Sequence, residues 1–173
     1  QANEAKTTNN YLQASADKKD NLNSAVQNAQ AVLAATGAND SADQVKALTR
    51  SVNDAVDALD GDANTKKQAD QNIDDVAKAA KQAIENTNGI TESEKQAAQG
   101  QVDADAQAAK EAIGKADSNQ AVTDAVNNGT VAINKDDANA AIDGALAEKN
   151  HSIEGAPNLT SDEKQAVKEQ AKK

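Results

Sequence analysis

The stretch Ile90-Thr91-Glu92-Ser93-Glu94-Lys95-Gln96-Ala97 returns sixty-nine positions later as Leu159-Thr160-Ser161-Asp162-Glu163-Lys164-Gln165-Ala166. The match runs upstream without a gap. Lys66 falls on Lys135, Ala69 on Ala138, Ile73 on Ile142, Asp74 on Asp143, Ile84 on Ile153 and Glu85 on Glu154. A fixed period of this size marks stacked supersecondary units, each too small to bury its apolar face alone. It constrains the fold more than any single residue does.

The units are helical. The chain holds 39 Ala, the strongest helix former, while Leu, Ile and Val total 25 and Phe, Trp and Met are absent. So few large apolar residues exclude a large globular core, and by composition alone they would permit disorder. Their placement argues for folding, because they recur at helical spacing. Leu22, Ala25, Val26, Ala29, Val32 and Leu33 form an i, i+3, i+4, i+7 stripe. Val45, Leu48, Val52, Ala55 and Leu59 form a heptad-like seam after a Ser41/Gln44 capping-box pair. Ile73, Val76, Ala80, Ala83 and Ile84 mark a helix over about 64–86, and Ala98, Val102, Ala106, Ala109 and Ile113 mark the next. A short helix with Ala121, Val122, Ala125 and Val126 follows. Ile133, Ile142, Leu146 and Ile153 belong to the first helix of the second copy. Five glycines, at 37, 61, 89, 129 and 155, fall at the expected helix ends, and Pro157 sits in a connection. Residues 1–15 read as helical, either with a break near Ser15 to Asp17 or continuous with the helix that follows.

The repeated stretch itself reads as a helix start. Thr91 with Glu94, and Thr160 with Glu163, have capping-box spacing, and Ile90 and Leu159 precede the caps. The domain layout expected from these signals is a three-helix module over 1–62, an alanine-rich repeat over 63–133, and an incomplete second copy over 134–173. The pattern begins and stops in mid-repeat, so the chain reads as a piece of a longer repetitive protein. The absence of a signal peptide within it therefore says nothing about location.

The net charge of −10 is spread evenly, with no basic patch, which makes nucleic acid and anionic membranes poor partners. No apolar run is long enough for membrane insertion, and the absence of Cys excludes disulfides and thiolate chemistry. His151 is the single histidine, with no second ligand near it in sequence, and reads as a solvated surface residue. Asp57, Asp60 and Asp62 around Gly61 loosely resemble a calcium loop, but the pattern of alternating oxygens ending in a glutamate is not met. Tyr11, the only aromatic, reads as core filler rather than a binding hot spot. Asn39, Asn128, Asn150 and Asn158 begin Asn-x-Ser/Thr triplets of the kind loops and caps also produce. No catalytic, cofactor-binding or metal-ligating residue is assigned, and the chain is not expected to be an enzyme.

Two parts of the chain carry family resemblances. YLQASADKKDNLNSAVQNAQAVL and SADQVKALTRSVNDAVDALDG, from Tyr11 to Gly61, resemble a FIVAR module. IENTNGITESEKQAAQGQVDADAQAAKEAIGKA and IEGAPNLTSDEKQAV resemble the alanine-rich repeat of unknown function that accompanies it. Such modules are similar to the repetitive regions of wall-anchored surface proteins of Gram-positive bacteria, including giant extracellular-matrix-binding adhesins. The resemblance implies helical-bundle modules strung end to end and carries no catalytic residue.

The expectation is thus an all-α chain of tandem three-helix bundles forming an elongated rod. Its expected role is an extracellular, cell-wall-anchored stalk that holds a distal binding domain away from the cell. The alternatives are a helical module binding a host matrix or serum protein, or homotypic cell–cell association. A monomer without cofactor is expected. Too few large apolar residues are present to supply the exposed patch that the binding-module alternative requires.

Overall fold

The computed structural model describes residues 2–34 and 41–171. Among these residues every regular element is an α-helix: α1 (Ala2–Ala5), α2 (Asn9–Leu12), α3 (Ala16–Ala34), α4 (Ala42–Asp57), α5 (Gly61–Asn86), α6 (Glu92–Lys115), α7 (Asn119–Glu154) and α8 (Ser161–Ala171). The protein is all-α and bundle-like, as its periodicity requires. It divides into two compact units, Gln1–Gln68 and Ala69–Lys173.

In the first unit α3 packs on α4, and α1 packs on α4. The core is small: Ala14, Leu22, Val26 and Leu59, with Ala2, Ala5, Tyr11, Val52, Ala55 and Val56 packed against it. Residues 2–15 form two short helices rather than one. Thr8 interrupts them, because its hydroxyl oxygen accepts from the Tyr11 N–H and starts α2 afresh. The capping box of α4 forms as its sequence indicates, with the Gln44 side chain accepting from the Ser41 N–H at 2.8 Å. The expected helix end at Gly37 lies outside the described residues.

Gly61 opens α5 instead of ending the helix before it. α4 has already stopped at Asp57, with Ala58 as its C-cap. The cause of the glycine is crowding, since a Cβ at Gly61 would stand 2.3 Å from the Asn10 carbonyl oxygen. Polar side chains tie the start of α5 to α2 and to the turn that follows it. Asp62 N–H donates to Asn10 Oδ1 at 3.1 Å, and Asn64 Nδ2 donates to the Gln13 carbonyl at 3.0 Å.

In the second unit α5, α6 and α7 form a three-helix bundle. Ile73, Ile84, Val102, Ile113 and Ile133 are fully buried at its centre, and alanines at 69, 77, 80, 106, 109, 125 and 140 fill the space between them. Alanine seams let helices approach closely but bury little area per residue. Among the expected apolar positions of this unit, Ala83 and Ile142 face solvent. Ion pairs on the rim join Lys81 to Asp103 at 2.7 Å and Lys110 to Asp74. Their exposure limits each to about 0–1 kcal/mol.

One expectation fails clearly here. Asn128-Gly129 does not end a helix: α7 runs unbroken from Asn119 to Glu154, across the join between the two repeats. Gly129 is buried within it, where an added Cβ would lie 2.4 Å from Ala109 Cβ and 3.1 Å from Ile73 Cδ1. The glycine serves close packing of three helices, a use that looks the same in sequence as a C-cap. Past the join, the second copy supplies the C-terminal part of α7 and α8, which pack together. Pro157 lies in the connection between them.

Candidate functional site

The recurring stretch is the natural place to look for a site, since it repeats with fixed chemistry. Thr91 Oγ1 accepts from the Glu94 N–H at 3.3 Å, while Glu94 Oε2 accepts from the Thr91 N–H at 2.6 Å and from its hydroxyl at 2.8 Å. The second copy reproduces all three bonds between Thr160 and Glu163, at 3.4, 2.8 and 2.8 Å. Ile90 packs against the bundle core just before the cap.

The lysine of the motif has a role that spacing alone did not show. Lys95 Nζ reaches back across the turn and donates to the Glu85 carbonyl at 2.5 Å, near the end of α5. Lys164 does the same to the Glu154 carbonyl at 2.8 Å, near the end of α7. One turn further on, Gln99 Nε2 donates to the Glu85 carboxylate at 3.1 Å, and the equivalent Lys168 pairs with that of Glu154. Each motif thus caps its own helix and clasps the end of the helix before it. Both devices answer the same need: helix ends leave N–H and carbonyl groups without partners inside the helix.

The electrostatics fit that reading. The Thr91 N–H and then its hydroxyl hold the Glu94 carboxyl below its ordinary range, and Thr160 does the same for Glu163. Lys168 lowers Glu154, first through its hydrogen bond and then through its charge. A depressed carboxyl contributes stability that is complete above its unfolded pKa and is lost as pH falls through its folded value. Thr91→Ala removes the N-cap hydroxyl of α6 and is expected to cost about 1 kcal/mol of stability at neutral pH, as loss of an N-cap side chain typically does. Urea unfolding across the acid range should show the mutant losing slightly less than the wild type as pH falls, because the hydroxyl's share in lowering Glu94 is gone while the backbone N–H at position 91, the larger cause, remains.

Beside the motif, between α6 and α7, lies an open hollow of about 300 Å³ lined by Ile90, Glu94, Gln101, Asp136, Asn139 and Asp143 among others. Burial, and then the neighbouring Asp105, raise the Asp136 carboxyl above its usual range.

The other candidates fall in separate places. His151 is exposed on the last turn of α7, and its carbonyl accepts from Gly155 N–H. The Asp60 carboxylate is engaged by Ser15, whose N–H and hydroxyl donate to its two oxygens at 2.8 Å each and lower its pKa, the N–H more strongly. Asp62 accepts from Asn9 Nδ2 at 3.1 Å. The loop that loosely resembled a calcium site thus uses two of its carboxylates to anchor α2 and α3. Among the described residues no group of three His, Cys, Asp or Glu is arranged to hold a metal. Tyr11 packs against the first unit's core, and its hydroxyl lies 3.4 Å from Asn23 Oδ1. Asn128 and Asn150 lie within α7, Asn158 lies in the α7–α8 connection, and Asn39 is outside the described residues.

One feature was not expected. The far ends of α3 and α4 leave an open apolar groove of about 220 Å³, lined by Val32, Leu33, Val45, Leu48 and Val52 among others. Leu33 is 84% exposed and Val45 48% exposed, although both lie on helical stripes that read as core. Periodicity identifies an apolar face but cannot say whether another helix covers it.

Comparison with family models gives two matches. The FIVAR domain matches residues 1–60, and the Domain of Unknown Function DUF1542 matches residues 65–137 and 134–173. The second spans more than half of the sequence. The chain belongs to the DUF1542 family. Its two DUF1542 stretches meet at 134–137, inside α7. Among solved structures, the crystal structure of EbhA (756-1003 domain) from Staphylococcus aureus is similar, at 23% identity and a TM-score of 0.32, covering 99% of this chain and 90% of that one. No curated protein matches the chain.

Proposed function

We propose that this FIVAR–DUF1542 chain is a segment of the repetitive extracellular region of a bacterial cell-surface adhesin, in which it acts as a stalk. In this reading the parent protein is anchored to a Gram-positive cell wall, and the segment holds a distal binding domain away from it. The supporting observation is α7. Its 36 residues cross the join between consecutive DUF1542 repeats without a loop. A helix of that length is about 54 Å long, and a continuous helix resists bending where a flexible linker would not. Uniform acidity adds solubility and keeps neighbouring copies apart. Catalysis has no place in this reading, and the repeated motif serves helix capping. Small-angle X-ray scattering is expected to give an elongated, monomeric particle; a compact, near-spherical one sinks the proposal.

A second reading, a module that binds a host matrix or serum protein, draws on the groove between α3 and α4. It expects capture of a serum or matrix protein by the wild type and loss of capture by Leu33→Lys. A null pull-down from both sources counts against it.

A further inference from the structure

The sequence contains two Asn-Gly pairs, Asn88-Gly89 and Asn128-Gly129. Sequence reading treats them alike, as helix stops. The structure places them in opposite environments. Asn88 is exposed in the turn between α5 and α6, followed by Gly89 at φ 85°. The Gly89 N–H makes no hydrogen bond to any described residue. Gly129, in contrast, is buried in the middle of α7. There the helical ladder engages backbone N–H groups and fixes their torsions.

We propose that Asn88 is a site of spontaneous backbone-assisted deamidation and that α7 protects Asn128 from the same chemistry. The Gly89 nitrogen, on losing its proton, attacks Cγ of Asn88. A C–N bond forms, the side-chain amide leaves as ammonia, and a five-membered succinimide remains. Water then opens the ring at either carbonyl, giving aspartate or isoaspartate. The net change is one water consumed and one ammonia released, with no oxidant or cofactor. Glycine at the second position leaves the attacking nitrogen unshielded, and an exposed turn lets the Asn88 side chain and that nitrogen reach ring geometry. Within α7 both requirements fail until the helix opens locally.

The location makes the product consequential. The turn's backbone sits directly on α7 at Gly144. A Cβ on Gly144 would lie 2.3 Å from the Asn88 carbonyl oxygen, and one on Gly89 would lie 2.5 Å from the Gly144 oxygen. Isoaspartate adds one carbon to the main chain at this seat, so ageing at Asn88 loosens the α5–α6 turn from α7. The second repeat is exempt, because Pro157 occupies the position equivalent to Asn88.

The test uses the full chain, incubated at mildly alkaline pH and then mapped by mass spectrometry, with an isoaspartate-specific methylation assay. Amide-to-acid conversion at Asn88 is expected to run at least about tenfold ahead of Asn128, since α7 must open before its nitrogen is free. In denaturant the two rates should converge, and Asn88→Gln should abolish the early isoaspartate signal. Equal conversion at both sites in the folded chain overturns the proposal. So does no conversion at Asn88 over a time in which the denatured chain converts.

Discussion

Ile73→Ala is expected to destabilise the second unit by about 2–5 kcal/mol, the cost of removing a fully buried branched side chain and leaving a cavity. Ile73 is 0% exposed, its Cδ1 lying against Gly129 of α7 in a core shared with α6. Its repeat partner Ile142 is 63% exposed, and Ile142→Ala is expected to change stability by no more than about 0.5 kcal/mol. The two residues match in sequence and in helical register, so only their surroundings separate them. In α5 the isoleucine has two partner helices over it. Around Ile142 the second copy contributes only α7 and α8. Paired urea denaturation of the two mutants measures the difference directly, and equal costs would mean that Ile142 is covered in solution.

Gly129→Ala carries the second large effect, and its sign is the informative part. Inside a helix, alanine is favoured over glycine by about 1 kcal/mol. At Gly129 the added methyl would meet Ala109 Cβ at 2.4 Å, and alanine has no rotamer with which to move away. Overpacking of this kind typically costs about 1–3 kcal/mol, so a net loss is expected. Gly100→Ala is the control. Nothing lies within 4 Å of a Cβ built there, on α6, and the same substitution should stabilise by about 0.5–1 kcal/mol. Thermal unfolding of the pair should shift in opposite directions. A shift upward for both would mean that α6 and α7 do not approach as closely as Gly129 indicates.

These contrasts also show how far the sequence could be read. The α6 core, Val102, Ala106, Ala109 and Ile113, is buried as its spacing requires. The capping boxes at Thr91 and Thr160 form atom for atom, because a cap is a local device made by residues three positions apart. Misreadings cluster where a residue answers to something distant. Gly61 and Gly129 read locally as helix ends, but each serves a close approach to another helix, at Asn10 and at Ala109. Leu33 and Val45 lie on regular apolar stripes yet stand open to solvent. The motif lysine gave no local sign of its partner, because the Glu85 carbonyl lies ten residues back across a turn.

Sequence alone determined the helical class, the sixty-nine-residue period, the capped helix starts at Ser41, Thr91 and Thr160 and most of the buried face of the second unit. Propensity, capping and periodicity act within a few residues, so a linear reading contains them. Tertiary structure decided that α7 crosses the repeat join, that Gly129 is a packing contact, that Ile73 and Ile142 differ, and that one Asn-Gly pair is open while the other is locked. Each of those depends on which helix stands opposite, and a period-3.6 stripe records a face without recording what covers it.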